Sequence, residues 1–199
     1  MRNAAKTLAF YAATVAIAPA LASFAMRRVV LGRDRALEGS TQALALWPGV
    51  LGEYLRRAFL TRVLASCDRS ATVQFGTLLS QAGAQIDANV YVGPRCHLGL
   101  VHLERDVLLA AGVHVPSGAA THGTDDPDVT IRKQIGVRTR VRIGEGTWVG
   151  SAAIVLADVG KHCVIGAGAV VTRPLPDYVV AVGVPARVIG SRRPQSVEA

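Results

Sequence analysis

Residues 143–171 read IGEGTWVGSAAIVLADVGKHCVIGAGAVV, and their spacing decides the fold. Aliphatic residues recur at Ile143, Val149, Val155, Val159, Ile165 and Val171, with steps of six residues broken by one step of four, Val155 to Val159. Glycine follows four of these anchors, at Gly144, Gly150, Gly160 and Gly166. An α-helix repeats every 3.6 residues and a strand every two, so neither explains a period of six. Short strands joined by tight turns do, with the anchors stacked inside a coil and glycine giving the corner its backbone freedom.

A second register supports that reading. The residue four after an anchor is small or compact at Thr147, Ala153, Cys163 and Ala169. Upstream the pattern returns at Ile86, Val92, Leu98, Leu103, Leu109 and Val115, with Val90, Cys96, Val107 and Val113 in the second register. Val73, Thr77 and Leu79 read as the first coil. The expected fold is therefore mainly β, a solenoid over residues 72–190. Between the two regular blocks, residues 119–142 lose the register and run through THGTDDPD; a long polar insertion in a repeat protein is usually functional or disordered.

Composition agrees. Half of the 199 residues are hydrophobic but only 5% are aromatic, which suits a narrow aliphatic core. The net charge of +8 suits an anionic membrane or a phosphorylated cofactor. No helix-turn-helix, zinc finger or aromatic RNA-binding motif is visible, so no nucleic acid partner is expected. Three cysteines make no disulfide framework. Cys96 and Cys163 sit in the compact register and read as structural; Cys67 lies outside it, with no role assigned.

The ends of the chain read differently. Thr7 to Met26 carries no charge over 20 residues, about the length that spans a bilayer. Arg2 and Lys6 precede it, and Arg27, Arg28, Arg33 and Arg35 follow. Three readings stay open for residues 1–30: a signal peptide ending near Ala20-Leu21-Ala22, an apolar helix buried on or lying along the surface and interrupted by Pro19, or a membrane anchor or re-entrant segment. The heavier basic flank would keep the solenoid on the cytoplasmic face of the membrane. Residues 31–71 are expected to form a helical linker and cap. Within them 32–49 reads as mixed, with turns, and 51–65 as an amphipathic helix. Leu51, Tyr54, Leu55, Ala58 and Phe59 share its apolar face, and Glu53, Arg56 and Arg57 lie opposite. That helix reads as a cover for the open end of the solenoid or as a basic interfacial helix. Residues 191–199 are expected to be a flexible tail.

Four pieces of sequence carry a family resemblance: Thr121-His122, Gly146-Thr147-Trp148-Val149-Gly150-Ser151, the run from Ile165 to Thr172, and Gly183-Val184-Pro185-Ala186-Arg187-Val188-Ile189. Together they resemble the hexapeptide-repeat acyltransferases, and most of all the O-acetyltransferases of sugars and polysaccharide precursors. The resemblance implies a left-handed parallel β-helix, a homotrimer, acetyl-CoA as co-substrate, and no metal. The left hand runs against the usual right-handed crossover, so it rests on the resemblance alone. Acetyl transfer from a thioester needs a base for the acceptor hydroxyl and a donor for the oxyanion. His122, at the start of the insertion, matches the family's catalytic histidine.

For the cofactor, the resemblance places Trp148 and Ser151 beside the pantetheine arm and gives Ala167 a backbone contact. Thr172 and Arg173 match a pair near the cofactor, and Arg187 matches the arginine that meets the nucleotide phosphates. Two departures stand out. The corner at Ala157-Asp158-Val159-Gly160 is two residues shorter than the family's, and an asparagine that helps hold the acceptor has no counterpart. The expected function is O-acetylation of a glycan or glycolipid precursor, with a sugar or lipid-linked acceptor. Alternatives are a small acceptor such as an antibiotic or serine, a scaffold without catalysis, or a zinc enzyme like the γ-class carbonic anhydrases, which share the fold. The zinc reading draws on the pair His97 and His102 with a third histidine elsewhere, His114 lying one coil further; against it, His102 reads as inward-facing.

Overall fold

Strands of two residues cannot stand alone, so each persists only by pairing with the same position one coil away. In the computed structural model, which describes residues 2–193 and side chains from Thr7 onward, those pairings build three parallel faces. Face A stacks Ser66–Cys67, Gln85–Ile86, Val101–Leu103 and Val141–Ile143, and single bridges carry it through Val159 to Leu175. Face B stacks Thr72–Val73, Tyr91–Val92, Leu108–Leu109, Trp148–Val149, Val164–Ile165 and Val179–Val182. Face C stacks Leu78–Leu79, His97–Leu98, His114–Val115, Ile154–Val155 and Val170–Val171. The chain thus winds through about six coils of a left-handed parallel β-helix. The anchors predicted from the spacing, and the compact residues four places on, are the buried ones.

The steps are not equally regular. From face A to B and from B to C, every step between anchors is six residues. From C to A the step is seven at Leu79 to Ile86, five at Leu98 to Leu103, four at Val155 to Val159 and at Val171 to Leu175, and 28 at Val115 to Ile143. The short corner and the long insertion both fall at this one edge.

The glycines after the anchors act otherwise than expected. Positive φ is found elsewhere, at Gly76, Gly112, Gly146 and Gly168 and at non-glycine corners such as Asn89 and Ala152. Gly150 instead sits where a Cβ would lie 2.5 Å from the backbone nitrogen of Ala167, and Gly144 and Gly160 face the next coil at the same distance. These positions need glycine because adjacent coils touch there, not because the backbone turns there.

The β-helix starts earlier than predicted. It starts at Ser66, where Cys67 pairs with Ile86, rather than at residue 72. Beyond Val171, Leu175 and Val179–Val182 add most of another turn, and Arg187–Ser191 returns antiparallel along that edge. Arg192 and Arg193 are held as well, through the Tyr178 carbonyl at 2.6 Å and the Tyr178 ring at 4.0 Å. The rest of the expected tail, residues 194–199, lies outside the described residues.

Four helices cover the first coil: α1 (Arg2–Ala16), α2 (Ala18–Leu31), α3 (Arg33–Ala45) and α4 (Gly49–Val63). Helix α3 falls where turns were predicted. Ala36, Leu37, Ser40, Thr41, Leu44 and Ala45 line its buried face, and the two hydroxyls are satisfied there, Ser40 Oγ by the Ala36 carbonyl and Thr41 Oγ1 by Leu79. Helix α4 buries Leu55, Ala58 and Phe59 as expected, but Leu51 is exposed and Arg56 is buried. Arg56 donates to the carbonyls of Val73, Leu44 and Trp47 at 2.8, 3.1 and 2.8 Å, joining both cap helices to the first coil. Burial holds its guanidinium below the usual arginine range despite Glu53 nearby.

Candidate active site

The insertion contains no strand and one 3₁₀ turn, Ile131–Lys133. Its two arms lie against each other. Thr139 N donates to Ser117 O at 2.8 Å, and Val137 N to Ala120 O at 2.7 Å. At Gly136 a Cβ would overlap the Thr121 carbonyl, so only glycine lets the returning arm approach the outgoing one here. His122 stands at that contact. Below it, Arg142 pairs with Glu104 at 2.8 Å, and the second Glu104 oxygen accepts Glu145 N at 2.9 Å. Burial pushes the Glu104 carboxyl up, but the Arg142 bond and the Glu145 N–H outweigh it and hold the group below the usual range. This pair ties the end of the insertion to the coil before it.

His122 is exposed, makes no hydrogen bond or ion pair among the described residues, and lines a cleft of about 660 Å³. The β-helix and its insertion supply one wall, with His97 and His114 from the coils and Ser117, Thr121 and Arg138 from the loop; the α2–α3 junction supplies the other, with Leu31, Arg33, Arg35 and Glu38. His97 and His114 stack with ring centroids 4.9 Å apart. Partial burial, and then the neighbouring His97, hold the His114 imidazole below the usual histidine range. These two histidines were not predicted to face His122. The signal was present: each directly precedes a face-C anchor, Leu98 or Val115, one coil apart. The cleft's arginines had no such signal, because α3 was not foreseen.

The other predicted site residues lie away from this cleft. Trp148 points outward from face B, half exposed, because its neighbour Val149 takes the inward position. Ser151 and Ala167 occupy the B-to-C corners of successive coils, where Gly168 N donates to Ser151 O at 2.8 Å. Thr172 and Arg173 follow face C, and Arg187 opens the final antiparallel strand. All five are exposed. Within one chain the structure does not bring them together with His122. Trp148 stacks over Leu108, and Leu108 over Tyr91, in a ladder of exposed apolar side chains along face B.

The three histidines of the zinc alternative do not converge. His102 was read as facing inward, but Val101 and Leu103 take the inward positions of that strand. His102 points out from face A, 3.1 Å from Asp87, while His97 and His114 are on face C. Among the described residues no three His, Cys, Asp or Glu side chains are grouped to hold a metal ion. Cysteine nucleophiles are disfavoured too: burial pushes the thiol of Cys67 to about 12 and that of Cys96 to about 11.

Known proteins share the repeat and the fold. Residues 140–173 match the family model described as the hexapeptide repeat of succinyl-transferase. The chain is 42% identical over 74 residues to "Probable acetyltransferase Rv3034c" of Mycobacterium tuberculosis, covering 36% of this chain and 25% of that protein. It is 42% identical over 79 residues to galactoside O-acetyltransferase of Lactococcus lactis, covering 39% and 37%. The chain spans from about a fifth to a little over half of the length of the curated relatives it matches. A maltose O-acetyltransferase from Clostridium difficile 630 shares the fold, with a TM-score of 0.64 over 83% of this chain and 89% of that one, at 22% identity. The chain is thus a β-helix that carries a hexapeptide repeat, and the proteins it matches are acetyltransferases.

Proposed function

We propose that this protein moves an acetyl group from acetyl-CoA to a hydroxyl of a glycan or glycolipid precursor, with His122 as general base. The observation that carries the reading is the uncommitted, exposed imidazole on a large cleft, at the one corner where the β-helix is interrupted. One ring nitrogen of His122 takes the proton as the acceptor oxygen attacks the thioester carbonyl. The C–S bond then breaks, and the departing thiolate recovers the proton from the imidazolium. Trp148, Ser151, Ala167, Thr172, Arg173 and Arg187 bind the CoA, the arginines through its phosphates. They lie off the cleft of their own chain, so a complete site needs a neighbouring subunit, and the assembly is a homotrimer. The exposed ladder of Tyr91, Leu108 and Trp148, and Ile131, Ile135 and Val137 on the insertion, support a covered surface. Because acetyl-CoA is a cytoplasmic donor, catalysis belongs on the cytoplasmic side.

The test is His122→Ala, assayed for acetyl-CoA hydrolysis and for transfer to a panel of lipid-linked and soluble sugars. Activity should fall by about two to four orders of magnitude, with thermal midpoint and oligomer mass unchanged. Near-normal turnover in the mutant would return the base role to His97 or His114.

A further inference from the structure

We infer that α1 and α2 form a docking face for an anionic phospholipid surface, and that this contact brings the rim of the His122 cleft to the lipid interface. Helix α1 is apolar on two opposite sides. Phe10, Ala13 and Ile17 are buried against the protein, while Leu8, Tyr11 and Val15, half a turn round, are exposed by half or more. A helix apolar all round wants cover on both sides. Helix α2 repeats the pattern: Phe24 is buried edge-on against Phe59, and Met26, Val29 and Val30 stand out, the last two more than 80% exposed. Between α1 and α4 runs an apolar groove lined by Ala9, Ala12, Ala16, Val50 and Leu51.

Charge selects the occupant. Residues 1–63 hold nine Lys or Arg against three Asp or Glu, a net +6 of the whole chain's +8. The side chains of Arg28 and Arg35 are exposed and make no hydrogen bond or ion pair among the described residues. Apolar side chains set among free arginines match an interface of acyl chains under anionic headgroups. The two helices lie on such a surface and do not cross it. Among the described residues no single helix is long and apolar enough to span a bilayer; Thr7–Ala16 and Ala18–Leu31 reach that length and composition only as a pair, across a bend of 51°. Their inner side is also committed: Arg62 and Arg69 sit over the Phe10 ring at 5.7 and 5.3 Å, and Arg62 donates to Thr14 at 3.0 Å. Leu31, next to Val29 and Val30, lines the His122 cleft with Arg33 and Arg35. On the acetyl-transfer reading, on which this last step rests, the acceptor then reaches His122 from the lipid side.

The experiment is sedimentation of the full chain with vesicles of phosphatidylglycerol and phosphatidylcholine, and with phosphatidylcholine alone. Binding should require the anionic lipid, weaken with salt, and fall at least tenfold in the Val29→Glu/Val30→Glu variant, whose thermal midpoint and solution hydrolysis of acetyl-CoA stay unchanged. No binding to the anionic vesicles, or equal binding by the variant, overturns the inference. So does a variant that loses self-association by light scattering but keeps its vesicle binding, since a second copy then covers the face. On vesicles, amide exchange should slow over residues 26–35; protection confined elsewhere overturns the link to the cleft. A full chain that sediments with the anionic vesicles but hydrolyses no acetyl-CoA would count against the acetyl-transfer reading alone.

Discussion

His114 shows how a single side chain reports on the cleft. Partial burial and the stacked His97 disfavour its charged form. The folded chain therefore binds fewer protons than the unfolded one between the lowered pKa and the ordinary value of about 6.5. Stability must rise with pH across that window and be lost as the pH falls through it. The thermal midpoint should accordingly drop between about pH 7 and pH 5, and His114→Gln should flatten that dependence. An equal slope in the mutant would assign the effect to other groups. Gly136 acts on His122 by position alone. A methyl group there pushes against the Thr121 carbonyl, one residue from the base. Gly136→Ala should lower turnover by about ten- to a hundredfold, as a misplacement of about 1 Å does. The thermal midpoint should change little, because the insertion is exposed. Similar losses in both quantities would mean that the arms support the core.

At the scale of elements, the coils were legible because their signal is a count. An anchor every six residues, with a compact residue four places on, needs no knowledge of partners, and Val149, Ala153, Ile165 and Ala169 all lie where that count puts them. Helix α3 was hidden because its buried face is built partly from Ser40 and Thr41, which look like turn residues until the Ala36 carbonyl and Leu79 are there to satisfy them. Arg56 was misplaced for the same reason. Its burial depends on three carbonyls that converge only once α3, α4 and the first coil have met. The candidate site divides likewise. His122 was marked by local sequence, whereas Arg33, Arg35 and Arg138 share its cleft only through tertiary contact.

At the scale of the whole molecule, the helical cap and the β-helix depend on one another. Deleting residues 1–26 removes Phe10, Ala13, Ile17 and Phe24, each buried on the protein, and burying a large apolar side chain stabilises by about 1.5–3 kcal/mol. The truncated chain should melt at a lower temperature in calorimetry. Below that midpoint it should still hydrolyse acetyl-CoA, since every residue assigned to the chemistry lies at His122 or beyond. An unchanged midpoint would mean that the first two helices are passengers. The uneven steps of the coil carry a different lesson. Residues can be gained or lost between faces C and A without moving any later anchor out of line, because the chain re-enters face A wherever the loop ends. That edge is a seam, and along it the frame is indifferent to what is sewn in. Replacing residues 116–142 with the three-residue corner 156–158 should leave a β-helix with its circular dichroism and melting intact but without hydrolysis. A foreign loop set into the same seam should meet the stacked His97 and His114 and inherit a ready-made cleft wall.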